Sequence, residues 1–359
     1  MKKAFLTALS GLAFGAMALT GPAQAQQPAA TLDAMIAGAK QEGRLVVWSP
    51  LPGRPESHAA AIAAFNQRFG LNTRLEWVPM AAPTANTRAI AERAGGKVTG
   101  DIIGAGSIGE IITARDANLI KPFDWRGAFG ATFPGIAEVD GLPEFRGLGL
   151  LYMVAHNGIG WNPRMIQAAE VPNNVEEMTN PKWQGKIGAN AFFLVPLDIM
   201  SLCMGEEKAL KLADGLIANR PVLGRGSPPV NQFITTGQVP FGMTISLVAE
   251  NAARNKEPID FKMYSDYVIS TENYIYVLEN SPNPNTARLF AAWLAAEGWK
   301  VIDPIEPLPS LLDKENKFIK MAADQVAKGG KPCRVENAQH AAQINRVREA
   351  VTLKLSGQR

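Results

Sequence analysis

Short apolar runs alternate with segments of helical periodicity along most of this chain. Leu45–Trp48, Arg74–Val78 and Asp101–Gly104 are short and largely apolar, which is typical of strands. Between the first two, apolar residues recur every three or four positions from Pro55 until Gly70, which predicts a helix with a glycine stop. Strands that alternate with helices in this way predict an α/β fold.

Two longer apolar strands, Leu148–Ala155 and Tyr264–Leu278, bracket the middle of the chain. The chain has 359 residues, which is more than one hydrophobic core usually serves, so two α/β lobes are predicted. The two long strands are predicted to cross between the lobes as hinge strands, with a ligand cleft between the lobes. The predicted boundaries are 32–148 with 268–312 for the first lobe and 149–267 with 313–359 for the second.

The stretch Val230–Asn251 predicts a helix, a glycine turn, the buried strand Val239–Met243 and a second helix. Thr244 and Ser246 follow at the carboxyl end of that strand. In open α/β sheets, ligands bind beyond the carboxyl ends of strands, where free N–H groups of a following helix meet them. This stretch is therefore predicted to form part of a binding site.

Other predicted loops present similar groups after a strand. Ser49–Arg54 follows the first strand, and the turn Ala105–Ser107 lies between a strand and a helix. Hydroxyls, amides, an arginine and helix N-termini together favour an anion such as a carboxylate, sulfonate or phosphonate. The candidate ligand-binding residues are Ser49, Arg54, Ser107, Asn190, Phe192, Thr244, Ser246 and Tyr274.

Each candidate also has a purely structural interpretation. Either glycine-containing loop taken alone is as compatible with a packing turn as with a ligand site, and Arg54 could be a solvated surface cation. Phe192 and Trp48 could pack an organic body or belong to the core. Tyr274 could reach the cleft from its strand or fill the core, and the sequence leaves these alternatives open.

The first 25 residues have the pattern of an export signal. Lys2-Lys3 precedes the apolar run Ala4–Leu19, and Ala23-Gln24-Ala25 forms a small-residue cleavage site, so a periplasmic location is predicted. The formal net charge of +3 includes the two signal lysines. A near-neutral chain without a basic block argues against a nucleic-acid partner.

The two cysteines, Cys203 and Cys333, are too few for a disulfide scaffold and lack the spacing of a metal site. In an oxidising compartment they can pair, and two separately buried thiols are the alternative. The sequence leaves both open. Neither a metal nor a cofactor is predicted.

Three segments resemble motifs of one family, in its order. They are Asn180–Ile187, the turn Thr236–Pro240, and Asn280–Pro284 before the amphipathic helix that contains Phe290. With these segments, the chain resembles the type II periplasmic solute-binding proteins of ATP-binding-cassette importers, a cluster that includes ferric-iron, thiamine, polyamine and phosphonate binders. The resemblance implies a two-lobed fold that closes on a solute and then docks, as a monomer, on a membrane permease.

The sequence departs from the ferric-iron branch that it otherwise resembles. Leu247-Val248 occupies the position of two adjacent tyrosines, and Leu51-Pro52 the position of a histidine, so hard trivalent iron lacks its ligands. The candidate loops hold little acid, which argues against a polyamine. The histidines His58, His156 and His340 form no nucleophile or metal pattern, so an enzyme is not predicted.

We therefore expect an exported binding protein that captures a small anionic organic solute and delivers it to a permease. A ferric-iron or polyamine binder of the same fold is the alternative within the family. A periplasmic enzyme of α/β fold is the alternative from another class.

Overall fold

The computed structural model describes residues 31–357, and the export signal predicted over residues 1–25 lies outside them. Its strands are β1 Arg44–Trp48, β2 Arg74–Val78, β3 Ile102–Gly106, β4 Leu150–Trp161, β5 Ile187–Asn190, β6 Val222–Gly224, β7 Phe241–Ile245, β8 Asp260–Met263, β9 Tyr267–Val277 and β10 Lys331–Cys333. Its helices are α1 Leu32–Glu42, α2 Pro55–Phe69, α3 Ala82–Ala94, α4 Ile108–Asp116, α5 Trp125–Phe129, α6 Ile136–Val139, α7 Val175–Met178, α8 Leu197–Met204, α9 Glu206–Ala218, α10 Ser227–Thr235, α11 Ser246–Arg254, α12 Pro284–Trp293, α13 Trp299–Ile302, α14 Lys317–Ala327 and α15 Ala338–Leu355.

One mixed sheet connects the described chain from end to end. Its strand order is β2-β1-β3-β9-β4-β7-β5-β6, with β10 beside β9 and β8 beside β4. The outer strands β2, β1 and β3 are parallel, as are β7, β5 and β6. The two longest strands, β4 and β9, lie antiparallel in the centre, where Leu150–His156 pairs with Ser270–Ile275.

The hydrophobic core is divided into separate clusters along these two central strands. Residues of β4 up to Val154 belong to the first cluster, and Ile159 belongs to the second. In β9, Ile269 belongs to the second cluster and Tyr274 to the first. Both strands therefore pass from one core to the other, which produces two lobes joined by two strands.

Two strands end later in the chain than the sequence predicts. The strand predicted at Val239–Met243 is β7, Phe241–Ile245, because Pro240 has no N–H to donate to a neighbouring strand. β3 continues through the predicted turn, and Gly106 pairs with Tyr274. A Cβ at Gly106 would lie 2.6 Å from the Tyr276 ring, so the missing side chain lets that buried ring pack.

Two of the family-like segments are held in place by hydrogen bonds to buried groups of the protein. The Asp101 carboxylate accepts from Ser281 Oγ at 2.7 Å and from the Asn283 N–H at 3.0 Å. Asn219 Nδ2 donates to the Asn180 carbonyl at 2.9 Å. These motifs therefore fix the start of α12 and the approach to β5, which explains why they indicate a fold and not a solute.

A disulfide joins Cys203 at the end of α8 to Cys333 in β10, with their Cα atoms 5.9 Å apart. Of the two interpretations left open by the sequence, the structure has the paired one. β10 lies parallel to the first residues of β9. The bond therefore attaches the segment that leads into α15 to the second lobe.

Candidate functional site

The two central strands become polar where they pass between the cores. Asn157 Nδ2 in β4 donates to Thr271 Oγ1 in β9 at 2.8 Å. The His156 N–H donates to Ser246 Oγ at 3.0 Å, and its ring Nδ1 lies 3.3 Å from Ser270 Oγ. Side-chain hydrogen bonds therefore add to the backbone pairing of β4 and β9 at the point where the strands pass between the cores.

A cavity of about 560 Å³, including its mouth, lies between the lobes beside this crossing. Clefts between two lobes are preferred positions for small-molecule sites. The start of α4 lines it from the first lobe, α8 and α15 line it from the second, and β9 contributes the crossing itself. The lining residues are Ser107, Ile108, Gly109, Ile199, Ser270, Thr271, Glu272, Val335, Ala341, Ile344, Asn345 and Arg348.

Arg348 on α15 is held on two sides at the edge of this cavity. Its Nε donates to Asp198 Oδ2 at 2.8 Å, and its guanidinium carbon lies 4.8 Å from the centre of the Phe193 ring. Within residues 31–357, its two terminal nitrogens donate no hydrogen bond. A fixed guanidinium with two free NH₂ groups suits a carboxylate, sulfonate or phosphate.

Glu272 in β9 is the acidic residue of the cavity lining. Its Oε2 accepts a hydrogen bond from the Tyr274 hydroxyl at 2.7 Å, while its Oε1 lies 3.7 Å from Arg334 Nη1. Burial raises the pKa of the Glu272 carboxyl, and the Tyr274 bond and Arg334 oppose that rise. The hinge strand therefore brings a mostly buried carboxyl to the cavity.

The N-terminus of α4 is capped by its own side chains. The Ser107 hydroxyl accepts from the Gly109 N–H at 3.2 Å, and the Ser107 N–H donates to the Glu110 carboxylate at 2.8 Å. This is a capping box, which fixes the first turn of the helix. The positive end of the α4 dipole is thereby held at the wall of the cavity.

The polar groups of the loop after β1 are hydrogen-bonded to other groups of the protein. Ser49 Oγ donates to the Leu51 carbonyl at 2.7 Å. The N–H groups of Gly53 and Arg54 donate to the Glu306 carboxylate, each at 2.9 Å. The N-terminus of α2, which the sequence suggested as an anion site, is thus occupied by the protein's own carboxylate.

The two lobes touch through a pair of contacts that we term the α11 contacts. Arg54 Nη2 donates to Asn251 Oδ1 on α11 at 2.9 Å, and Arg254 Nη2 on α11 donates to Asp303 Oδ2 at 3.0 Å. Leu247, in the first turn of α11, packs against the core of the first lobe. The lobes are therefore in contact, with α11 of the second lobe against the first.

The loop between β5 and α8 is strained. Phe193 and Leu194 have positive φ angles of 133° and 50°, which side-chain-bearing residues rarely adopt. On the facing lobe, Ala105 before α4 has a φ of 58°. Such strain concentrates at ligand-binding loops, and here it places Phe193 beneath the Arg348 guanidinium.

The sequence profile of the bacterial extracellular solute-binding proteins matches residues 60–298. The chain belongs to this family of solute-binding proteins. No curated protein sequence matches it. Within residues 31–357, no helix is both long and apolar enough to span a membrane.

Solved structures with the same fold are periplasmic binding proteins. Iron-bound HitA from Pseudomonas aeruginosa has a TM-score of 0.66 at 16% identity, over 85% of this chain and 99% of HitA. AfuA from Actinobacillus pleuropneumoniae, with fructose-6-phosphate bound, has a TM-score of 0.62 at 16% identity, over 87% and 99%. AgtB from A. tumefaciens, in complex with agropinic acid, has a TM-score of 0.60 at 15% identity, over 88% and 98%. The predicted two-lobed type II fold and the resemblance to this cluster are confirmed.

Of the eight predicted site residues of this solute-binding protein, Ser107 is the one that lines the cavity directly. Tyr274 is buried and reaches the cavity indirectly, through its hydrogen bond to Glu272. Arg54 instead takes part in the α11 contacts, and Ser49 is bonded within its own loop.

The four predicted residues of the second lobe lie along the carboxyl ends of β5 and β7. Asn190 Oδ1 accepts from the Phe192 N–H at 2.9 Å, and the Phe192 side chain is 51% exposed. Ser246 is buried and bonded to β4. Thr244 is buried against Gly160, where a Cβ would lie 2.8 Å from its methyl group. Their role in binding stays a prediction.

Several cavity residues of this solute-binding protein were missed by the sequence analysis. Arg348, Asn345, Ile344 and Ala341 share one face of α15, and their three- and four-residue spacing is the signal that could have indicated a lined surface. Glu272 is the charged residue of β9, which is a second such signal.

The positions that would hold iron contain no metal ligands here. Leu247 packs on the first lobe's core, and Leu51 is partly buried against the same core. Within residues 31–357, no three His, Cys, Asp or Glu side chains are grouped as a metal site.

Proposed function

We propose that this protein captures a small anionic organic solute in the cavity between its lobes and delivers it to an ABC permease in the inner membrane. It works in the periplasm as a monomer, without chemical change of the solute. Closure of the lobes around the crossing strands removes water from the polar contacts and strengthens them.

The observation that carries this proposal is that Arg348 is held in place while its terminal NH₂ groups have no hydrogen-bond acceptor within residues 31–357. The Asp198 carboxylate and the Phe193 ring fix its guanidinium, and its terminal NH₂ groups remain unused within residues 31–357. A solute carboxylate, sulfonate or phosphate can accept both bonds in parallel. Ile108, Ile199 and Ile344 line part of the cavity and suit an organic body. Fructose-6-phosphate, the solute bound to AfuA, is likewise an organic anion.

Arg348→Lys tests the proposal. Lysine keeps a positive charge beside Asp198 but loses the planar fork, so anion affinity should fall about tenfold or more while the solute-free melting temperature changes little. A thermal-shift screen of small carboxylates, sulfonates and phosphonates identifies a binding anion, since a ligand at about 100 times its Kd adds about 2.7 kcal/mol. Isothermal titration then compares the variants.

Arg346→Ala is the matched control, because Arg346 lies two residues away on α15 and pairs with Glu206 at the surface. It should leave anion binding unchanged. Anion binding that survives Arg348→Lys intact would contradict the proposal.

Ferric citrate and spermidine belong in the same screen as the alternative solutes. Conversion of any bound compound, followed by mass spectrometry, would favour an enzyme.

A further inference from the structure

The cavity lining contains two charged side chains of opposite sign, Arg348 on α15 and Glu272 on β9. Between them the lining is apolar or carries small neutral polar groups. A purely anionic solute would use Arg348 and offer no positive charge to Glu272. A carboxylate beside a bound anion costs binding energy unless a positive charge lies between them.

The two carboxylate oxygens of Glu272 differ in their hydrogen bonding. Oε2 accepts the Tyr274 hydroxyl, whereas Oε1 accepts no hydrogen bond from residues 31–357. The nearest cation, Arg334, stands 3.7 Å from Oε1, beyond hydrogen-bond distance, and also lies 3.6 Å from Glu336. Arg334 is 46% exposed, so this pairing is weak in water. The open oxygen suits a donor that comes from the solute.

The place of Glu272 in the fold supports the same conclusion. It stands in the polar segment of β9 where the chain passes between the two cores, and its side chain is 13% exposed. A carboxylate taken out of water there requires a compensating positive charge. Burial accordingly raises its pKa in the solute-free protein, and a bound cation would bring it back to the ionised form.

We propose that the solute is amphoteric and carries a protonated amine, which binds Glu272 Oε1 in addition to the acidic group that binds Arg348. The solute class is then a small amino acid or a related amino-carboxylate with a short apolar body. This inference rests on the proposed function, because it takes capture of an anion by Arg348 as given.

Matched pairs of compounds test it: β-alanine with propionate, γ-aminobutyrate with butyrate, and L-leucine with isocaproate, together with butylamine. For at least one pair, the amino acid should bind the wild-type protein at least about tenfold more tightly than the acid without the amine. Glu272→Gln should abolish that preference, because the amide retains an acceptor for the Tyr274 hydroxyl but loses the charge. Titration calorimetry gives the affinities, and thermal unfolding checks that the variant is folded.

Glu336→Gln is the control, since Glu336 also lies beside Arg334 but is 56% exposed and outside the cavity lining. It should keep the amine preference. Acids that bind as tightly as their amino partners, with binding that still depends on Arg348, would overturn the inference and leave the proposed function standing. Butylamine binding as tightly as the amino acids, unaffected by Arg348→Lys, would overturn the anionic solute and leave the Glu272 site. Binding of none of these compounds would count against both.

Discussion

The His156 side chain is buried at the point where β4 passes between the two cores. Burial lowers the pKa of its imidazole from 6.5 to about 4, and its Nε2 has no hydrogen-bond partner within residues 31–357. Its Nδ1 lies beside the Ser270 hydroxyl, one of the cavity-lining groups. The ring is therefore held neutral at a position that must stay ordered for the cavity to keep its shape.

The neutral state of His156 predicts a loss of stability in acid. Between pH 6.5 and pH 4 the unfolded chain binds a proton that the folded protein does not, so the free energy of unfolding falls by about 3 kcal/mol as the pH is lowered through that window. His156→Asn removes this contribution and keeps an amide for the Ser270 contact. Urea unfolding at pH 7.5 and pH 4.5 should show a smaller decrease for the variant. Parallel pH dependence of the two proteins would refute this prediction.

At the scale of elements, α15 and α8 are the pair that builds the second-lobe wall of the cavity. Arg348 on α15 bonds to Asp198 on α8, and Gln343 Nε2 donates to the Ser201 carbonyl at 2.8 Å. The Cys203–Cys333 disulfide joins the end of α8 to the strand that leads into α15. One covalent bond thus ties together the segments that hold Arg348, the arginine proposed to bind the anion.

Removal of this disulfide should destabilise the protein by about 2–5 kcal/mol, because it closes a long loop in the unfolded chain. The partners are 130 residues apart. Chemical denaturation of Cys203→Ser with Cys333→Ser against the wild type measures the loss. Dithiothreitol should lower the wild type to the level of the double variant and leave the variant unchanged, and equal stability of all forms would contradict the prediction.

At this scale, the sequence predicts element types better than it predicts where elements end. β7 and β3 extend past their predicted ends because their edges are set by pairing with β4 and β9. Pro240 and Gly106 look like turn residues locally, yet one precedes a strand and the other lies inside a strand. Pairing partners more than 80 residues away decide such boundaries, and a local pattern contains no information about them.

At the scale of the whole molecule, the α11 contacts join the two lobes. Arg54 and Arg254 both cross from one lobe to the other. Arg54 is one of the predicted ligand-binding residues, whereas in the structure its guanidinium bonds across to the other lobe. The predicted lobe boundaries, 148/149 and 267/268, stay a prediction.

Arg54→Ala and Arg254→Ala should each shift the protein toward an open form. The hydrogen bond of Arg54 and the ion pair of Arg254 are partly exposed and contribute about 0.2–1 kcal/mol each, so solute affinity should fall by up to about fivefold, with little change in the solute-free melting temperature. Small-angle scattering should show a larger radius of gyration without solute. Arg68→Ala, which breaks an exposed ion pair within the first lobe, is the control and should change neither quantity. If the free energy of unfolding without solute falls by as much as the free energy of solute binding, the arginines would be assigned to stability alone.

The sequence by itself determined the α/β class, the two long central strands and the family-like segments. These follow from apolar periodicity, glycine and proline signals and short motifs, all of which act between residues close in the chain. It also indicated that polar groups gather at the carboxyl ends of strands.

Only the tertiary structure decided which polar groups face the cavity. Glu306 occupies the N-terminus of α2 from some 250 residues away, and Arg348 reaches the cavity from the last helix of the chain. Such encounters depend on how the helices pack across the sheet and on how two lobes meet, because a side chain's partner is set by distance in space. For that reason the sequence indicated a cleft, whereas packing selected Arg348 and Glu272 to line it.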